Sequence, residues 1–142
     1  MPLARVYILK TDNTKYSDIL KIGSTGNTLE ERARQLNNAK GYKAFRTWFV
    51  AWSIRVPNAQ RVEIQAHRWF RRLDRLAWRL GLPWRWVIRL DYYGCREMFR
   101  PSLLHAQTII VLLAAFQYAK QALKVLLVLG LMAMAACLVL WK

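Results

Sequence analysis

The sequence predicts a small α/β domain with an additional apolar helix at its C-terminus. Three observations lead there. Short β-branched and aromatic runs are separated by turn-like segments, helices with apolar stripes alternate with them, and the last third is nearly free of charge. The first run, RVYILK at 5–10, reads as a strand, and the polar TDNTKYSD after it as a hairpin connection. ILKIGS returns as a second strand, with Gly23 marking a bulge or a close backbone approach. Thr28 and Glu31 have capping-box spacing, and Leu29, Ala33 and Leu36 form a stripe, so a helix is predicted from Leu29 to Asn37 or Asn38.

FRTWFVAWSIRV at 45–56 is the third predicted strand. Pro57 and Asn58 open a second helix whose stripe is Val62, Ala66, Trp69 or Phe70, Leu73, and Leu76 or Ala77; Gly81 and Pro83 close it. WRWVIRLDYYG has strand character. REMFRPSLLHA reads as a short strand entering a helix opened by Pro101 and Ser102.

Charge marks the main boundary. The chain has 23 Lys and Arg against 8 acids, a formal net charge of +15, which favours polyanionic partners such as nucleic acid or anionic lipid. Residues 1–100 hold all the acids, and beyond them the only charged residues are Lys120, Lys124 and Lys142. A domain is expected over 1–108 and a hydrophobic helical tail over 109–142. Residues 125–141 carry no charged side chain between Lys124 and Lys142, close to the length a membrane-spanning helix requires. The alternatives are a buried or dimerising helix, and a helical hairpin of 105–119 with 125–141. If the tail inserts, the cations before it place the domain on the cytoplasmic side. Cys95 and Cys137 make neither a disulfide framework nor a metal motif.

There is no P-loop, dinucleotide fingerprint, nucleophile elbow or His-rich cluster. Glu63 follows Val62 one turn into the second helix, with His67 four residues on. It suits a Mg²⁺ ligand on a nucleic-acid substrate, and equally a surface pair with His67, Arg61 or Arg55. Arg68, Arg72, Arg75 and Arg79 form one helical stripe with Arg71 beside it, a surface for DNA phosphates or for lipid headgroups.

The order of these residues resembles the GIY-YIG nuclease superfamily. The resemblance rests on Tyr7 in the first strand, Lys21-Ile22-Gly23 in the second, Asn27 and Arg32 at the first helix, Glu63 in NAQRVEIQAHRWF, and GCREMFRPS further on. It is closest to the phage and bacterial branch whose second signature reads Lys-Ile-Gly, and covers about residues 4–108. It implies a three-stranded antiparallel sheet flanked by helices, and hydrolysis of DNA phosphodiesters with a single Mg²⁺ or Mn²⁺. In that scheme Tyr7 and Lys21 activate water, Arg32 contacts the scissile phosphate, Glu63 holds the metal and His67 supports it. A fold retained for nucleic-acid binding alone, or for membrane association through a basic lipid-facing surface, is the alternative expectation.

Overall fold

The computed structural model describes residues 4–39, 47–82 and 98–140. Its elements are β1 (Ala4–Thr11), a 3₁₀ turn (Thr14–Tyr16), β2 (Leu20–Thr25), α1 (Leu29–Asn38), β3 (Trp48–Val56), α2 (Ala59–Arg79), β4 (Met98–Phe99) and α3 (Leu103–Leu140). The described strands form one antiparallel sheet in the order β3-β1-β2-β4. The sheet therefore has a fourth strand where the resemblance implies three. It is the two-residue Met98–Phe99, which pairs only with Leu20 and Lys21 at the β2 edge. The strand-like WRWVIRLDYYG lies outside the described residues.

Alternation along the strands sends side chains to two faces with different covers. Val6, Ile8, Leu20 and Ile22 meet Val62, Ala66 and Phe70 of α2 and Ala106, Ile110 and Ala114 of α3. Tyr7, Leu9 and Ile19 meet Leu29 and Leu36 of α1, with Trp48 and Met98. Burying each large apolar side chain stabilises the fold by about 1.5–3 kcal/mol. A bulge in β3 supports the second face. Ile8 pairs with Trp52 and Leu9 with Val50, so Ala51 is the extra residue and the parity of β3 switches there. Arg55 and Ser53 before the bulge thereby share a face with Val50 and Trp48 beyond it.

The helices begin and end for local reasons. The Thr28 hydroxyl accepts from the Glu31 amide, capping α1, and both amide atoms of Asn37 grip the Trp48 backbone to hold α1 against β3. Before α2, Asn58 adopts a left-handed conformation with φ 54°, which Asn tolerates better than most side chains. Gly81, at φ +65°, ends α2. Within the α2 stripe Phe70 and Ala77 point inward, whereas Trp69 and Leu76 are exposed.

In place of two hairpin helices, α3 is one unbroken 38-residue helix. At ~1.5 Å per residue it is ~57 Å long. Ala106, Ile110, Ala114 and Gln117 face the domain, and Tyr118 donates to the Arg55 carbonyl at 3.1 Å. From Leu123 onward its described large apolar side chains are exposed. Leu103–Met134 is long and apolar enough to cross a membrane by length and composition, and only 17% of its most apolar window is buried.

Candidate active site

Tyr7 stands opposite Gly23 in the β1–β2 register, and its ring lies across the glycine. A Cβ at Gly23 would overlap the Tyr7 hydroxyl and sit 2.6 Å from ring carbon Cζ. Glycine is required here by close approach, which is the role the sequence suggested for it. Arg32, one turn into α1, donates from Nε to the Tyr7 hydroxyl at 3.0 Å and from a terminal nitrogen to Gln35 at 3.1 Å. A strand residue and a helix residue, 25 positions apart, are thus locked together over the glycine of the second signature.

Lys21 lies on the same face, opposite Leu9 and Met98. It is therefore diagonal to Tyr7 and not directly across from it. Its side chain is fully buried. Lys21 therefore belongs to the interior of this face and not to its solvent surface.

Glu63 approaches from the other face. Its Oε2 accepts a hydrogen bond from the hydroxyl of Ser24, the residue after Gly23. Consecutive Cα atoms are ~3.8 Å apart, so neighbouring residues of β2 hold the Tyr7–Arg32 pair on one side and Glu63 on the other. Beyond Lys21, β2 has no outward strand partner among the described residues. Ile22 and Gly23 are buried, and Ser24 and Thr25 are half-buried at the end of the strand.

His67 lies one turn further along α2. Its Nε2 donates to the carbonyl of Ile22 at 3.0 Å, because a carbonyl can only accept, and its ring packs against Phe99 with centroids 5.1 Å apart. Buried there, it joins α2 to β2 one turn from Glu63.

Ser24 carries no signature in the sequence. A serine after Lys-Ile-Gly reads as an ordinary strand end, and only alternation to the α2 side, combined with a nearby acid, would single it out.

The model of the T5orf172 domain matches residues 4–103. The chain belongs to that family. This places it in the T5orf172/GIY-YIG-like nuclease superfamily. No curated protein and no solved structure matches the chain.

The remaining expected residues of this T5orf172 domain are distributed as follows. Arg68, Arg71, Arg72, Arg75 and Arg79 are all exposed on α2. At 100° per residue Arg71 is the nearest of them in angle to Glu63, about 80° round the helix, and Arg68 is about 140° away. The stripe therefore diverges from the site. Asp74, which lies among these arginines in the sequence, is buried. Gly94 and Glu97 of the late signature lie outside the described residues.

Among the described residues no three His, Cys, Asp or Glu side chains cluster as a metal cage. The donor set still suits a hard cation that keeps most of its waters, which one carboxylate can hold. Oε2 of Glu63 is engaged by Ser24, and Oε1 accepts no hydrogen bond among the described residues.

Proposed function

We propose that the domain is a DNA endonuclease of the Lys-Ile-Gly branch, hydrolysing phosphodiester bonds with one Mg²⁺ or Mn²⁺. The observation that supports this reading best is the Tyr7–Arg32 hydrogen bond closed over Gly23. It joins three signature positions in a chain whose family match spans 100 residues.

In this reading the Tyr7 hydroxyl positions the attacking water, and the Arg32 guanidinium fixes the phenol while offering its fork of donors to a non-bridging phosphate oxygen. Lys21, buried diagonally behind Tyr7, adds positive potential where negative charge develops. Glu63 would hold the metal through Oε1, with Oε2 kept in place by Ser24 and the helix kept in place by His67. The ion, when bound, supplies Lewis-acid stabilisation of phosphoryl charge.

The test is cleavage of plasmid DNA in magnesium. Glu63→Ala, Arg32→Ala and Tyr7→Phe should each nearly abolish nicking, while all three variants retain DNA binding. Undiminished cutting by the Glu63 variant rejects the assignment. Binding by the wild type without cutting, with any divalent ion, would favour the nucleic-acid-binding alternative.

A second reading concerns location, and the exposed apolar half of α3 favours it. Residues 125–141 would anchor the chain in a membrane, with the domain at the cytoplasmic face. Lys120 and Lys124 then lie where headgroups begin, beside Arg61 in a cleft of about 350 Å³. The full chain should float with lipid vesicles, and a chain ending at Lys120 should remain in the soluble fraction. Identical fractionation of the two removes the anchor.

A further inference from the structure

On the α1 side of the sheet, two strand positions from Tyr7, Arg5 and Arg55 stand directly opposite each other in the β1–β3 register. Like charges at directly opposed positions of an antiparallel pair destabilise a sheet. Neither arginine has an ion-pair partner among the described residues. Both line a cleft of about 310 Å³, together with Thr25, Asn27, Thr28 and Glu30. Glu30, exposed in the first turn of α1, is the one carboxylate in that lining, and it belongs to the electropositive end of the helix.

The cleft repeats the candidate active site one step along each element. Arg5 precedes Tyr7 by two residues on β1, and Thr25 follows Gly23 by two on β2. On α1, Thr28 precedes Arg32 by one turn, and the Arg32 amide bonds to its carbonyl. Two residues of antiparallel strand span ~7 Å, about the separation of successive phosphates along a nucleic-acid strand. The α2 arginines diverge from this face and cannot serve the same phosphate.

We propose that Arg5 and Arg55 jointly hold one backbone phosphate of the DNA strand, adjacent to the scissile phosphate. This rests on the endonuclease reading of the neighbouring site. Two arginines on one anion turn a repulsive pair into a clamp, so a pairing that weakens the free fold strengthens its complex. The substrate strand must then continue past the cut on that side, which selects internal bonds over terminal ones.

The test measures binding of a short DNA duplex by the full chain in detergent as salt is varied, with calcium replacing magnesium. Wild type is compared with R5Q, R55Q and R5Q/R55Q. One shared phosphate predicts that the double variant lowers the log–log salt slope by about 0.9, each single variant by less. The same double variant, without DNA, should melt about 1–4 °C higher because the repulsion is gone. An unchanged slope overturns the proposal, as does a fall of about 1.8, which would mean two independent contacts. A lowered melting temperature overturns the repulsive pairing on which it depends. E63Q separates this idea from the one beneath it. If E63Q stops cutting and R5Q/R55Q leaves the slope untouched, the nuclease reading stands and the clamp falls. If the slope drops as expected but wild type never cuts, the clamp stands and the nuclease reading falls.

Discussion

The two faces of the sheet are built on different terms. Toward α2 and α3 lies a core of Val6, Ile8, Leu20, Ile22, Phe70, Phe99 and Ile110, all fully buried, with His67, Asp74 and Gln117 buried on the two helices that cover it. Toward α1 the buried set is smaller and mixes Leu9, Leu29 and Trp48 with Tyr7 and Lys21. The larger apolar cluster lies on the first face, and among the described residues the second is covered by the ten-residue α1. The one acid the proposed chemistry needs stands on the margin of the first face. It reaches β2 at Ser24, beyond the point where β4 stops pairing. A full-length partner strand at that edge would separate Glu63 from Tyr7 and Arg32.

The sharpest way to break the α1 side alone is Gly23→Ala. The added methyl would occupy the place of the Tyr7 hydroxyl, and Tyr7 cannot withdraw into an interior already filled by Leu9, Leu29 and Met98. The ring must tilt and the Arg32 bond must lengthen or break. Overpacking of this kind costs about 1–3 kcal/mol of stability, and a displacement near 1 Å at a reacting group costs about 10²-fold in rate. Thermal melting and DNA cleavage measured together check both. Because Ser24 and Glu63 lie on the opposite face, the magnesium concentration for half-maximal activity should hardly move. A large rise there would show that the two faces do not act separately.

Most elements were legible in the sequence because each had a local cause. Thr28 with Glu31 announced α1, the aromatic β-branched run announced β3, and Gly81 announced the end of α2. Tyr7, Lys21, Arg32 and Glu63 were legible only as an ordered pattern, since three-residue signatures have little specificity alone. What the pattern could not reveal was which face each residue takes. That depends on register: Tyr7 opposite Gly23, Lys21 opposite Leu9, and the Ala51 bulge that switches the parity of β3. Register likewise sets Lys21 diagonal to Tyr7, with its side chain buried. The single helix from Leu103 to Leu140 was hidden for another reason. QYAKQALK is polar enough to suggest a break, yet it contains only good or tolerable helix formers, and neither Gly nor Pro interrupts it.

Ser24→Ala tests the link between the faces, with the smallest expected effect. The hydroxyl holds one oxygen of Glu63 and leaves the other open, so its removal frees the carboxylate to rotate without altering the core. In the proposed scheme Ser24 positions the carboxylate, so its loss should appear in metal affinity before it appears in rate at saturation. Losing a hydrogen bond to a metal-ligating carboxylate typically weakens metal binding about 10–100-fold. The half-saturating magnesium concentration should accordingly rise about 10-fold, with the rate at saturating metal nearly unchanged and DNA affinity in calcium untouched. Ser24→Thr, which keeps the hydroxyl, should restore most of the loss. If both variants behave like wild type, the Ser24–Glu63 bond holds strand to helix and has no part in holding an ion. Glu63 would then lose its connection to the Tyr7 side, and the two faces would have to be treated as a stable core and a separate binding surface.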